Sequence, residues 1–105
     1  MINRQAMQAL KELLVTTFPN EIEKVILFGS RVKGTAEEYS DYDVLVILNH
    51  PYDWKFKNKI RDTSWEIDFQ HDIFTDLKVI STDELQTIQG KLPFIQNALE
   101  EGVML

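Results

Sequence analysis

The sequence predicts an α/β (α+β) protein in which one small sheet is covered by helices. Three observations carry this expectation. Lys24–Phe28, Val44–Leu48 and Ile73–Ile80 are short runs rich in β-branched and apolar residues, with the length of strands. The stretches around them repeat their apolar residues with a helical period. The resulting order, α-β-(α)-β-α-β-α-α, belongs to a sheet with helices packed on it. At 105 residues the expectation is a single domain, 1–105, with one ordinary core.

Each element has its own local reason. Residues 3–18 place Met7, Leu10 and Leu14 on one stripe, with Leu13 and Phe18 beside it, and Pro19-Asn20 stops the helix. The first strand closes on Gly29-Ser30, where Ser30 can cap a short helix over Arg31, Val32 and Lys33 that Gly34 ends. Residues 35–40 are a polar loop, with Glu37 and Glu38 as solvated charge. Asp41-Tyr42-Asp43 leads into Val44–Leu48, which is apolar at every position and so buried on both faces. Asn49–Tyr52 is a turn before a helix over 53–70. Phe56, Ile60 and Ile67 share one side of that helix, and Trp54, Trp65 and Phe69 cluster nearly opposite. A helix apolar on two sides packs between layers or meets a partner, and the Trp65/Phe69 side is expected to form a protein interface together with Val103–Leu105. After the third strand, Ser81-Thr82-Asp83-Glu84 starts a helix that runs to about Gly90. A last short helix follows Pro93, with Phe94, Ile95, Ala98 and Leu99 apolar and Gly102 as its cap. Val103–Leu105 is left as an apolar tail, and Met7 and Met104 are packing residues.

Composition narrows the functions. Apolar residues at 44% against 27% charged describe a folded chain rather than a disordered one. The absence of cysteine excludes a disulfide scaffold, a thiolate metal site and a cysteine nucleophile. The start, MINRQAMQALKELL, lacks the basic-then-apolar layout of a signal peptide, and no apolar run has the ~20 residues of a membrane span, so the cytoplasm is expected. Eleven basic against 17 acidic residues leave a net charge of −6, the reverse of a nucleic-acid-binding surface. A phosphate ligand would need metal cations or a basic partner beside it.

Three features carry chemistry. Gly29-Ser30 joins a strand to a short helix; glycine lets a phosphate approach the backbone, and the serine hydroxyl adds a hydrogen bond. Asp41-x-Asp43 precedes a strand, where residues two apart share a face, so their carboxylates converge and call for a cation such as Mg²⁺. With eight aspartates in 105 residues, Asp-x-Asp arises by chance about 0.6 times, so the pattern gains meaning only from its context. The third feature is an acid on the next strand, either Asp76 or Asp72, four apart and expected on one strand face. Asp76 is favoured because Thr75–Ile80 would otherwise bury a carboxylate without a partner. His50, His71 and Tyr42 are expected to be structural, since an oxygen-ligand site has no need of imidazole and Tyr42 points away from the acids.

Taken together, Gly29–Gly34, the ten-residue spacing from Ser30 to Asp41, Asp41-Tyr42-Asp43 before Val-Leu-Val-Ile, and Asp76-Leu77-Lys78 resemble the nucleotidyltransferase superfamily that includes DNA polymerase β. The resemblance is close over 24–48 and looser over 71–80. It implies a polymerase β palm-like fold with a small mixed sheet, in the form of a minimal nucleotidyltransferase without a second domain. Such small members are commonly the antitoxin of a pair with an all-helical HEPN toxin, and some transfer AMP from ATP to a tyrosine of that toxin. The resemblance therefore implies two Mg²⁺ ions held by Asp41, Asp43 and Asp76, and ATP whose β and γ phosphates lie on Gly29 and Ser30. Lys33 would be the added cation, with Arg31 as second choice. Homo- or hetero-oligomers are expected, without direct nucleic-acid or membrane contact. Two alternatives stay open: a non-catalytic module that neutralises its partner by contact, and transfer to RNA or to a small molecule such as an aminoglycoside.

Overall fold

The computed structural model describes residues 2–37 and 40–105, so the expectation for Glu38 lies outside the described residues. The elements are α1 (Arg4–Thr17), β1 (Ile22–Phe28), α2 (Ser30–Lys33), β2 (Tyr42–Leu48), α3 (Trp54–His71), β3 (Thr75–Ser81), α4 (Thr82–Leu85), a 3₁₀ turn (Ile88–Lys91), α5 (Pro93–Glu101) and β4 (Val103–Met104). The sheet runs β3-β2-β1-β4. β1 is antiparallel to both β2 and β4, whereas β2 and β3 are parallel. A parallel pair needs a long crossover, and α3 is that crossover. The side chains of Asn3 and Asp53 cap α1 and α3, each accepting from a backbone N–H three residues on.

The sheet has a core on each face. On one, Val25, Leu27, Val44, Val46 and Leu48 meet Met7, Leu10 and Leu14 of α1 and Ile60 and Ile67 of α3. On the other, Ile26, Phe28, Leu45, Ile47 and Ile80 meet Ile95 and Ala98 of α5. β2 is therefore buried on both faces, as its uninterrupted apolar run required. No helix among the described residues is long and apolar enough to cross a membrane.

Four local expectations change. The apolar tail is a strand: Val103 and Met104 pair with Leu27 and Ile26, and the Leu105 N–H donates to the Val25 carbonyl at 2.9 Å. It satisfies backbone groups that β1 would otherwise leave open. This puts the tail on the opposite sheet edge from β3, so it does not form one surface with Trp65 and Phe69. The helix expected to Gly90 stops at Leu85, because Thr87 is extended and turns its own hydroxyl to the Glu84 carbonyl, competing with helix continuation. Gly29, not Ser30, takes the N-cap position of α2. Asp72 is not on a strand at all; it is the left-handed C-cap of α3, with φ 52°.

Candidate active site

The site forms where β1, β2 and β3 end together. Across the sheet, Phe28 is the partner of Asp43 and Asp43 is the partner of Asp76. Asp43 lies two residues before Leu45 and Asp76 four before Ile80, so both carboxylates stand on the α5 face of the sheet. Asp43 is half-buried, and its carboxyl titrates above the usual value: burial raises it most, then the charges of Asp76 and Asp41, against an opposing pull from Lys78. The structure thus brings Asp41, Asp43 and Asp76 into electrostatic contact. Asp72 is exposed on the turn before β3 and outside the register that aligns Asp43 with Asp76.

Gly29 presses on this pair. Its φ of 81° lies in the region that favours glycine, and a Cβ there would overlap the Asp43 carboxylate. A close approach of backbone to acid is possible only because position 29 has no side chain. The Gly29 carbonyl accepts from the N–H groups of Val32 and Lys33, both at 3.1 Å, which tightens α2 into a single turn. Lys33, at the end of that turn, is 4.0 Å from Glu101, and both side chains are about half-exposed. Arg31 stands elsewhere: its guanidinium lies 4.3 Å over the Tyr42 ring and donates to the Ser40 carbonyl at 2.6 Å, holding the loop that precedes Asp41. Tyr42 is buried on the other face, where its hydroxyl accepts from the Asn3 N–H at 2.9 Å. His50 contacts Glu21 at 3.1 Å and is remote from the acids in the fold.

One acid near the site has no counterpart in the sequence motif. Asp68 of α3 accepts from the Thr75 hydroxyl at 2.9 Å, and Thr75 is the residue beside Asp76. Burial raises the Asp68 carboxyl most; its hydrogen bonds from Thr75 lower it, and the charge of Asp41 raises it. Only its place next to the core residue Ile67 sets it apart in the sequence.

The donor set suits a hard divalent cation, because it offers carboxylate oxygens whose mutual repulsion a cation would relieve. Lys78, 3.3 Å from Asp76, now supplies that positive charge. Among the described residues no group of three or more His, Asp or Glu is already arranged around one metal position. What stands ready is the aligned pair Asp43–Asp76, with Asp41 nearby. Chemically, the arrangement is a set of carboxylate oxygens beside a backbone bend.

The chain as a whole is similar to known proteins. The sequence profile of the nucleotidyltransferase domain matches residues 7–103. MJ0604 of Methanocaldococcus jannaschii, named as a protein adenylyltransferase, is 26% identical over 105 residues, spanning 100% of this chain and 99% of that one. MntA of Haemophilus influenzae, also named as a protein adenylyltransferase, is 32% identical over 73 residues, or 64% of this chain and 62% of that one. A chain from a toxin–antitoxin crystal structure with AMP-PNP superimposes with a TM-score of 0.66 at 20% identity, covering 98% of this chain and 72% of that one. One from a complex of tri-AMPylated Shewanella oneidensis HEPN toxin with MNT antitoxin gives a TM-score of 0.61 at 17% identity, over 98% and 71% of the two chains. At these identities the superpositions establish a common fold.

Proposed function

This chain belongs to the nucleotidyltransferase domain family, and from that premise we propose that it transfers AMP from ATP to a tyrosine hydroxyl of a HEPN-type partner toxin, acting as that toxin's antitoxin. The single observation that carries the reading is the register Phe28–Asp43–Asp76 with Gly29 against Asp43. Acids and a glycine bend at adjoining strand ends support a triphosphate-binding reading. The relatives named as protein adenylyltransferases support the reaction class, and the fold neighbours crystallised with AMP-PNP and with an AMPylated HEPN toxin support nucleotide and partner.

The residues divide the work. Gly29 lets the β and γ phosphates meet the backbone, Ser30 adds a hydroxyl, and Lys33 swings from Glu101 to a phosphate oxygen. The acceptor hydroxyl attacks the α-phosphorus in line, its proton passes to the Asp76 carboxylate, and the bond to pyrophosphate breaks. Asp41, Asp43 and Asp76 are the residues that would hold two Mg²⁺ ions, which when bound supply charge compensation at the attacking and leaving oxygens. Asp76 is free for this once Lys78 gives up its contact. Most of the rate enhancement then comes from positioning and fixed charge. The reaction belongs in the cytoplasm, where ATP is supplied.

The test is incubation with Mg-ATP and the HEPN toxin of the same source, followed by intact-mass measurement. The toxin gains AMP with the native chain and not with Asp41→Ala/Asp43→Ala. A second reading, neutralisation by contact alone, is favoured by the Asp76–Lys78 pair and the lack of a preformed three-acid group among the described residues. It prevails if the double variant still binds and silences the toxin.

A further inference from the structure

Lys78 stands by position with the core and by charge with the acids. On the α5 face of the sheet, the row Phe28–Asp43–Asp76 is followed by the row Ile26–Leu45–Lys78. Ile26 and Leu45 are buried there, so Lys78 is the charged end of an apolar row. β3 is an edge strand, and a lysine on an edge ordinarily points to water and discourages pairing. Lys78 turns back instead. Its ammonium is 3.3 Å from the Asp76 carboxylate and 6.0 Å from the centre of the Phe94 ring, which stacks on Phe28. Its charge also reaches Asp43, where it opposes the upward pull of burial and of the two other acids. Among the described residues no other ion pair involves Asp41, Asp43 or Asp76, and Lys33 is engaged with Glu101.

The contact bears on what the acids can bind. An ammonium and a divalent ion on one carboxylate repel each other, so Asp76 serves an incoming ion only as Lys78 withdraws. Displaced, the ammonium is still anchored by β3 beside the same acids, now next to a cation, and an added anion stabilises it there. The triphosphate of the proposed function is such an anion. Its seat is the Gly29 bend, and Gly29 presses on Asp43, the register partner of Asp76.

We propose that Lys78 is a built-in counter-ion: it holds Asp76 against a lone divalent ion and passes to the triphosphate when ion and nucleotide arrive together. Lys78 therefore weakens binding of the ion alone and strengthens binding of the nucleotide alone. Because both act through one side chain, each ligand favours the other through it, and by linkage the effect is reciprocal. In a chain of net charge −6, this keeps the acids compensated until a polyanion brings its own cation. The proposal rests on the reading of Asp41, Asp43, Asp76 and Gly29 as the ion and triphosphate site, and is independent of the acceptor.

The test is binding without turnover, in the absence of any acceptor. Mn²⁺ alone is titrated by electron paramagnetic resonance, and AMP-PNP alone, in EDTA, by calorimetry. Lys78→Gln should bind Mn²⁺ about three- to tenfold more tightly than the native chain, and AMP-PNP more weakly by a similar factor. Lys78→Arg, which keeps the charge, should return both constants towards the native values. Lys55→Gln removes the same charge from the start of α3 and should change neither. Thermal melts confirm that each variant is folded. Amine labelling of the native chain, read by mass spectrometry, follows the same exchange without a substitution. Lys78 should react faster with Mn²⁺ bound than without it, and slowest with Mn²⁺ and AMP-PNP together. A folded Lys78→Gln variant with native constants overturns the proposal, as does a Lys78→Arg variant that matches Lys78→Gln, or labelling of Lys78 that is the same in all three states. A native chain that binds neither Mn²⁺ nor AMP-PNP overturns the site reading itself, and the proposal with it.

Discussion

Gly29 answers two demands with one absent side chain. Its φ of 81° and its contact with Asp43 both exclude a Cβ. Gly29→Ala should cost about 1–3 kcal/mol in thermal melts and abolish transfer, since relief of the overlap requires Asp43 to leave its place. Asp43 holds its proton more tightly in the folded than in the unfolded chain, where its pKa is near 3.8. The folded state therefore binds more protons above that pH, and the contribution of Asp43 to stability falls as pH rises through its folded pKa. Asp43→Asn should raise Tm at neutral pH, lose that gain as pH drops below 3.8, and eliminate transfer. It should also eliminate stabilisation by Mg-ATP, which in the native chain amounts to about 2.7 kcal/mol at a hundredfold excess over Kd and disappears on chelation. Of the causes that raise Asp43, the repulsion from Asp41 was legible in Asp41-x-Asp43, whereas its burial and the nearness of Asp76 were not. The overlap at Gly29 was not, because it depends on β1 and β2 ending side by side.

At the element scale, the parallel pair β2–β3 and its crossover α3 decide which acid faces Asp43. α3 runs to His71 and needs Asp72 in a left-handed conformation to turn back, so β3 begins only at Thr75 and Asp76 falls into register. Asp72 and Asp76 are four apart in sequence, but they never share a strand. The Asp68–Thr75 hydrogen bond ties the two elements at this turn. At the other end of β3, Ser81 and Glu84 form a reciprocal capping box that starts α4. Ser81→Ala should cost about 1 kcal/mol in denaturant titrations and leave transfer unchanged, because the box lies at the far end of β3 from Asp76. The start of α4 was legible in Ser-Thr-Asp-Glu; its end was not, since Thr87 breaks the helix by hydrogen-bonding backward.

Across the whole molecule, β2 joins both cores and delivers Asp43 at its start. Leu45 is fully buried against the α5 side, so Leu45→Ala should cost ~2–5 kcal/mol and lower Tm by at least ~8 °C. The sheet also separates the two apolar surfaces that the sequence had joined: β4 closes the β1 edge, whereas Trp65 and Phe69 stand exposed beside the β3 turn. By itself, the sequence determined the three longer strands, the helices that cover them and the spacing of Gly29, Asp41 and Asp43, because composition, alternation and capping act over a few residues. Only the tertiary structure decided that Asp76 aligns with Asp43, that Asp68 borders the site, that two tail residues make a strand, and that one side of α3 lies open. Each of these is a contact between segments far apart in the chain, and which segments meet is settled by how the two faces of one sheet are buried.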